Sequence, residues 1–161
     1  MKIPAGIASG QQLRLQGEGE AGSGGGPPGH LYVVIHVQEH EFFRREGNHL
    51  FCEVPVNFPT LALGGEIVIP TLDGEETFKI PEGTQTASAF RLRGRGMPDV
   101  TGRGRGDLIV TVKVITPKKL TKEQKKLFEQ LQTLLPKEKF DPTPVDREDK
   151  GLFDRVKDIF G

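Results

Sequence analysis

IPEGTQTASAFRLRGRGMPDVTGRGRGDLIVTVKV, residues 80–114, occurs twice in this chain in related form. Aligned without gaps on residues 3–37, IPAGIASGQQLRLQGEGEAGSGGGPPGHLYVVIHV, it is identical at 12 of 35 positions. The identities include Ile-Pro-x-Gly at the start, Arg-Leu-x-Gly-x-Gly in the middle and Gly-x-Leu-x-Val near the end. A repeat of this length predicts two related structural units. Because the first copy starts at the third residue, the segment that precedes the second copy has no counterpart, and we expect the chain to begin inside a domain.

The composition favours a small all-β protein. The 161 residues suit one ordinary domain or two small ones. The 21 glycines and 12 prolines separate short runs of Val, Ile, Leu and Phe, a punctuation typical of strands and turns. The 22 basic and 22 acidic residues give a formal net charge of zero, which disfavours a dedicated nucleic-acid binder.

Alternation of apolar and polar residues predicts seven strands, at 12–16, 31–37, 50–57, 66–70, 75–80, 87–93 and 107–115. Residues 58–65 predict one helical turn ended by glycines. Asp73-Gly74 lies between two alternating runs and predicts a tight hairpin whose two central residues have positive φ. The fold class is therefore mainly β, with two related small antiparallel β-sandwich units, of which the first is incomplete, followed by C-terminal helices.

The period of the apolar residues changes after residue 117. Thr121 and Gln124 predict a capping box at the start of a helix, and Pro136 ends it. One face of this helix is apolar, with Leu127, Phe128, Leu131, Leu134 and Leu135. A charged, proline-rich linker is predicted over residues 137–150, followed by a terminal amphipathic helix over 151–161. Either the helices cover a sandwich within one chain or they associate between chains, and we favour a dimer because their apolar faces would otherwise stay uncovered.

Several short motifs resemble functional sites, but each has a simpler structural interpretation. Gly17-x-Gly19-x-x-Gly22 spells a dinucleotide fingerprint, but Ser-Gly-Gly-Gly-Pro-Pro-Gly follows and no helix can start there, so a flexible connection is favoured. Cys52 is the only cysteine, which excludes an internal disulfide and a multi-cysteine zinc site and is compatible with a reducing compartment. The four histidines have no Ser, Cys or carboxylate at a recognisable catalytic spacing, so an enzyme is disfavoured.

A loop rich in arginine is the alternative site for an anionic polymer. It is formed by Arg91, Arg93, Arg95, Arg103 and Arg105. The matching loop of the first copy carries Glu18 and Glu20 and no base, and no aromatic residues for base stacking are interleaved with the arginines. Solvated loop charge is therefore favoured over nucleic-acid binding.

No segment is suited to a membrane or to export. The longest aliphatic run, residues 31–35, is far short of the roughly 20 residues that a membrane span needs. The first residues run directly into Ile-Pro-Ala-Gly without an apolar signal segment. We expect a cytoplasmic protein with neither membrane nor nucleic acid as a partner.

Residues 3–117 resemble one family, the C-terminal half of DnaJ-type co-chaperones, particularly the bacterial zinc-containing class. The resemblance rests on IPAGIASGQQLRLQGEGEAG, GGPPGHLYVVIHV, HEFFRREGNHLFCEVPVNFPTLALGGEI, IPTLDGEETFKIPEGTQT and RLRGRGMP. It implies a pair of related β-domains that bind unfolded polypeptide, followed by a dimerisation segment, in a protein that delivers clients to a DnaK-type ATPase chaperone.

The sequence departs from that family pattern in two ways. It contains no His-Pro-Asp tripeptide, which the J-domain needs, and no CxxCxGxG repeat, which the zinc region needs. In this class the zinc region is inserted within the first β-domain, so we expect a shortened form or a product that begins past the insertion. Zinc is expected only upstream, and no cofactor is expected in this chain.

The resemblance also assigns regions and residues. Residues 1–42 are expected to be the second half of the first, client-binding β-domain, 43–117 the second β-domain and 118–136 the dimerisation helix. The family's peptide groove matches this chain at Leu13, Leu15, Phe42 and Phe43. Two adjacent phenylalanines of an extended segment cannot both point inward, so one is expected in the core and the other could form an exposed apolar contact. Structural packing of both is the default interpretation. The expected partners are unfolded polypeptides, a DnaK-type chaperone and a second copy of the chain.

Overall fold

The structure is a computed structural model, and it describes residues 2–136. The chain divides into two compact units, one extending to Val114 and one starting at Ile115. The predicted linker over 137–150 and the predicted helix over 151–161 lie outside the described residues. The expected boundary between residues 42 and 43 stays a prediction.

The fold is mainly β, as the sequence predicts. In chain order the elements are β1 (Gln12–Leu15), β2 (Leu31–Val34), β3 (Arg44–Glu46), β4 (His49–Asn57), α1 (Phe58–Leu63), β5 (Gly65–Thr71), β6 (Gly74–Ile80), β7 (Ala89–Leu92), β8 (Leu108–Ile115) and α2 (Lys122–Leu134). The strands form a two-stranded sheet β1-β2, a four-stranded sheet β3-β4-β8-β7 and a two-stranded sheet β5-β6. Each strand and helix predicted within residues 2–136 is present, and β1, β2, β7 and β8 are shorter than predicted.

The internal repeat is a repeat of backbone pairing. In the first copy, β1 and β2 are antiparallel, with Gln12 opposite Val34. In the second copy, β7 and the start of β8 pair in the same register, with Ala89 opposite Thr111. The hydrogen bonds that flank the pairs also match, since Gly10 N donates to Ile35 O over 2.7 Å and Ala87 N to Val112 O over 2.8 Å. The two copies are therefore equivalent strand pairs, each joined by a glycine-rich connection.

The second copy lies in a complete sandwich. Its apolar core includes Phe43, Leu50, Cys52, Ile69, Leu92, Leu108 and Val110, and continues with Val56, Leu61, Ile80 and Val112. Alternate residues of β8 supply one side of this core, and residues of β5 and β6 supply the other. Because complete burial of one aliphatic side chain contributes about 1.5–3 kcal/mol, this cluster is the main source of stability in the unit.

The hairpin between β5 and β6 is present, but its turn lies one residue earlier than predicted. Thr71 pairs with Gly74, so Leu72 and Asp73 are the central residues, and neither has positive φ. The Thr71 hydroxyl donates to Gly74 O over 2.7 Å and accepts from Asp73 N over 3.2 Å. This local side-chain bonding selects the turn, and the prediction of positive φ at both central residues was wrong.

Helix α2 begins as predicted. The Thr121 hydroxyl accepts from Gln124 N over 3.2 Å, and the Gln124 side chain accepts from Thr121 N over 2.9 Å, which completes the capping box. The helix ends at Leu134, two residues before Pro136. All five predicted dimerisation residues are at least partly exposed, from half-buried Phe128 to Leu134, which is 82% exposed.

Candidate functional site

The two adjacent phenylalanines before β3 point to different environments. Phe43 is buried in the sandwich core, whereas Phe42 is 50% exposed. Successive side chains of an extended segment point to opposite sides, which explains why only one ring can be in the core. Of the two predicted peptide-binding phenylalanines, Phe42 is thus the accessible one, and Phe43 anchors the segment to the sandwich.

His40 fixes the orientation of this phenylalanine pair. Its Nδ1 accepts from Phe42 N over 3.3 Å and from Phe43 N over 3.4 Å. The imidazole meets the Phe42 ring edge to face, with centroids 4.5 Å apart, and the two phenyl rings are 4.8 Å apart. These backbone and ring contacts hold the exposed Phe42 ring in a defined orientation.

Phe42 lies in an open cleft of about 1170 Å³ within the first compact unit. Four large apolar side chains of its lining are at least 41% exposed, namely Val37, Phe42, Leu72 and Val100. Sequence reasoning missed three of them. For Leu72 and Val100 the sequence held a signal, because each is an apolar residue at a position where polar residues are usual. Leu72 occupies the centre of a hairpin turn, and Val100 lies between Asp99 and Thr101.

The first copy supplies one wall of the cleft and is fastened to β3 and to the second copy. The Arg45 guanidinium donates to Ile7 O over 2.9 Å and to Gly6 O over 2.6 Å, and its Nε donates to Gly47 O over 2.8 Å. Gly6 approaches so closely that an added Cβ would lie 1.9 Å from Pro98 O. This junction requires a glycine, and it holds the wall in a defined position.

A carboxylate network forms part of the lining. Asp99 accepts from Asn48 Nδ2 over 2.9 Å, from Thr101 N over 2.8 Å and from the Thr101 hydroxyl. The hydrogen bond from the Thr101 hydroxyl is the main reason why the pKa of Asp99 lies below its usual value. Asp99 is therefore a fixed negative charge in the cleft at neutral pH.

Leu13 and Leu15, the other predicted peptide-binding residues, do not line this cleft. They lie half-buried on one face of β1, opposite Val33 and Leu31, and Leu31 is 43% exposed. The equivalent residues of the second copy are Phe90, Leu92, Leu108 and Val110, and the last three are buried in the sandwich core. The face that is a closed core in the second copy is thus more accessible in the first.

Three of the five arginines of the arginine-rich loop form ion pairs within the protein. Arg95 Nε lies 2.6 Å from Glu76 Oε2, and Arg105 Nη1 lies 2.7 Å from Asp73 Oδ2. Arg91 pairs with Asp107 over 2.5 Å. Although burial opposes its ionisation, hydrogen bonds from Gly94 N and Arg91 hold the pKa of Asp107 below its usual value. These arginines tie the loop to carboxylates of the sandwich, where the sequence favoured solvated charge.

Three further features concern metal ligands, membrane-spanning helices and the cysteine thiol. Between residues 2 and 136 there is no group of three or more His, Cys, Asp or Glu side chains that could hold a metal ion. In the same range no helix is long and apolar enough to cross a membrane. Cys52 is buried, and loss of solvent raises the pKa of its thiol to about 11, so the nucleophilic thiolate is disfavoured.

Comparison with known proteins gives one consistent family. A family model described as the DnaJ C terminal domain matches residues 1–117. The chain is similar to Chaperone protein DnaJ of Shouchella clausii, with 51% identity over 160 residues that cover 99% of this chain and 41% of the relative. Chaperone protein DnaJ of Brevibacillus choshinensis is 52% identical over 160 residues, covering 99% of this chain and 42% of the relative. That of Bacillus mycoides is 48% identical, covering 99% and 40%. The chain spans about two-fifths of the length of these relatives.

Proposed function

This chain belongs to the DnaJ C-terminal domain family, and from that premise we propose that it is the client-binding and dimerisation part of a DnaJ-type co-chaperone. It binds segments of unfolded polypeptide and, in the full-length protein, presents them to a DnaK-type ATPase chaperone. No catalytic step is part of this activity.

The observation that carries the proposal is the accessible apolar surface before β3. Leu31, Tyr32, Val34, Val37 and Phe42 are each between 43% and 56% exposed. An unfolded chain offers apolar side chains and unpaired backbone groups, and a partly open sheet with apolar side chains accepts both. Because such contacts read few specific groups, binding is weak and tolerant of client sequence.

Dimerisation is assigned to α2. A helix of 13 residues is marginal in water without a surface to pack on, and Leu127, Leu131, Leu134 and Leu135 are partly or largely exposed. A second copy of the same helix supplies such a surface symmetrically. Sedimentation should give a dimer for the whole chain and a monomer for a version ending at Pro117, and two monomers would refute the assignment.

Client binding is tested by suppression of aggregation of a denaturant-unfolded protein diluted into buffer. Phe42→Ser and the double change Leu13→Ser with Leu15→Ser probe the two apolar surfaces separately. We expect each variant to reduce suppression, because each removes accessible apolar area at one surface. Suppression by the unmodified chain no stronger than by an inert protein at equal mass would contradict the function.

Phe43→Ser is unsuitable for this test, although sequence reasoning places Phe43 in the groove. Its ring is in the sandwich core, and replacing a buried aromatic side chain with a small polar one destabilises a protein by about 3–5 kcal/mol. Its effect on clients would report unfolding. Circular dichroism and urea unfolding of the other variants should remain close to those of the unmodified chain.

A further inference from the structure

Arg95 and Arg105 belong to the second copy of the repeat alone. In the gap-free alignment they lie opposite Glu18 and Pro28 of the first copy. Arg91 differs from them, because it lies opposite another arginine. The strand pairing that the repeat encodes therefore does not require Arg95 or Arg105, and their role lies outside the repeated fold.

The loop that carries these two arginines has the same backbone bonding as the loop that lacks them. In the second copy Gly96 N donates to Gly106 O over 2.8 Å, and in the first copy Gly19 N donates to Gly29 O over 3.1 Å. A return hydrogen bond from the second glycine is also present in both copies. Backbone hydrogen bonds thus define the loop, and the arginine side chains are available for contacts beyond it.

The two guanidinium groups reach the hairpin formed by β5 and β6. Arg105 donates from Nε to Gly96 O over 3.1 Å and from Nη1 to Asp73 Oδ2 over 2.7 Å, so one side chain contacts both the loop and the hairpin turn. Arg95 Nε lies 2.6 Å from Glu76 Oε2, and its Nη1 lies 3.8 Å from the same Asp73 carboxylate. These four charged side chains form a clamp between the loop and the hairpin.

The clamp lies beside the cleft and outside its lining. Asp73 follows Leu72, and the loop carries Val100; both apolar residues line the cleft, whereas none of the four clamp residues does. The base of the loop is held from another side, since Met97 N donates to Asn48 O over 2.9 Å. The clamp therefore links the two elements that carry Leu72 and Val100.

We propose that Arg95 and Arg105 are positioning residues for client binding, because their ion pairs hold Leu72 and Val100 in place on two walls of the cleft. This rests on the proposed function and gives a role to the two arginines that the strand pairing does not use. The arginines do not touch the client. They restrict the hairpin turn and the loop before a client arrives, so less conformational freedom is lost on binding.

The test uses a nonapeptide of uncharged residues with a Leu-Phe-Leu centre and an uncharged fluorescent label, and it measures anisotropy with the full chain. Asp73→Asn and Arg105→Gln should each weaken binding by about threefold to tenfold, the effect of ordering one mobile side chain. Because the paired side chains of Arg105 and Asp73 are 31% and 47% exposed, the midpoint of urea unfolding should change little. Unchanged affinity in both variants would overturn the proposal.

A double variant shows whether the ion pair is the cause. Asp73→Asn combined with Arg105→Gln should weaken binding no more than either change alone, because both single changes break the same ion pair. Arg93→Gln is the control, since it removes an exposed positive charge outside the cleft lining, and it should leave the affinity unchanged. Losses that multiply in the double variant, or an equal loss in the Arg93 variant, would contradict a clamp.

Salt gives a readout that a purely structural role would not change. The peptide carries no charge, so added salt acts on its binding chiefly through the protein. Exposed ion pairs are screened as salt rises, and the Debye length is about 3 Å at 1 M. The affinity advantage of the unmodified chain over Asp73→Asn should therefore shrink with added sodium chloride. A ratio of affinities that stays constant would argue against the clamp.

The position of the hairpin turn relative to the loop can be measured directly. Spin labels are attached through Glu75→Cys and Arg103→Cys, both at exposed positions outside the cleft lining, while Cys52 is buried. Pulsed electron paramagnetic resonance should give a broader distance distribution after Asp73→Asn with Arg105→Gln than before. Identical distributions would mean that other contacts hold the turn, and the proposal would fall.

The failure of this proposal is distinguishable from the failure of the proposed function. If the clamp variants bind the peptide and suppress client aggregation as well as the unmodified chain does, the clamp has no positioning role and the function stands. If the unmodified chain suppresses aggregation without binding the peptide, clients bind at other surfaces and only the clamp is refuted. If the unmodified chain does neither, the proposed function fails as well.

Discussion

Ala87 has a φ of 66°, and among the described residues it is the only non-glycine residue with positive φ. At the equivalent position of the first copy is Gly10, with φ 85°. Both residues donate the same backbone hydrogen bond across the strand pair, to Val112 O and Ile35 O respectively. The repeated fold imposes the conformation, and alanine in the second copy adopts it at an energetic disadvantage.

Ala87→Gly should therefore stabilise the protein. The left-handed conformation costs an alanine about 1–2 kcal/mol, whereas glycine adds about 0.4–1 kcal/mol of backbone entropy loss on folding. The net gain expected in the free energy of unfolding is about 0.5–1 kcal/mol. Urea unfolding measures it, and Gly10→Ala is the mirror control. No heavy atom lies within 4 Å of an added Cβ at Gly10, so that loss would be purely conformational.

Cys52 gives a second prediction at this scale. Desolvation raises the pKa of its thiol from 9.0 to about 11, so the folded state holds the thiol proton more tightly than the unfolded state. This contribution to stability is constant below pH 9.0 and falls as the pH rises from 9.0 towards 11. Cys52→Ser should flatten that part of the pH profile of the unfolding free energy. A decline of equal size in the serine variant would show that other groups cause it.

At the scale of elements, the two copies of the Ile-Pro-x-Gly turn have different surroundings. Gly6 has φ 83° and would place a Cβ 1.9 Å from Pro98 O, whereas Gly83 has φ 70° and open space around it. Gly83→Ala should lower stability by about 1 kcal/mol through backbone strain alone. Gly6→Ala should lower it by more, because the first copy must separate from Pro98.

Limited proteolysis checks this prediction at the junction. The Gly6 variant should be cleaved faster between residues 3 and 11, because the Arg45 hydrogen bonds to Gly6 O and Ile7 O are strained or broken. The Gly83 variant should be cleaved at that segment as slowly as the unmodified chain. Equal protection in both variants would mean that the wall of the cleft is held by other contacts.

The same elements show what the sequence could predict. Alternation located β5 and β6, and the capping residues located the start of α2, because those signals are local. The exact turn could not be read from Asp-Gly, since it depended on the competing Thr71 hydroxyl. That one phenylalanine is buried followed from strand geometry, but which one depended on the packing of Phe43 against Leu50 and other core residues. The cleft escaped prediction because Val37, Leu72 and Val100 are distant in sequence and meet only in the fold.

At the scale of the whole molecule, pairing of two chains would double the cleft. The apolar face of α2 includes Leu131, which is 37% exposed, and the opposite face carries the Lys125–Glu129 ion pair at 3.9 Å. Two weak sites joined by a dimer bind a long client with an effective concentration set by the connection, and avidity can exceed the single-site affinity by about 10²–10⁴. Dimerisation would thereby allow contacts that are weak and tolerant of client sequence to hold an unfolded chain for longer.

We therefore predict that a peptide with two binding segments has a higher affinity than a peptide with one, and that this difference depends on α2. A peptide with two apolar segments on a long flexible linker should bind the unmodified chain at least about a hundredfold more tightly than a peptide with a single segment. Leu131→Asp should make the chain monomeric and remove this gain without changing the single-segment affinity, because a buried unpaired carboxylate disfavours the helix interface. Thr133→Asp is the control, since Thr133 is exposed and lies outside the apolar set of α2. If the gain survived in a monomeric Leu131 variant, a single chain would have to hold both segments, and client retention would not depend on the dimer.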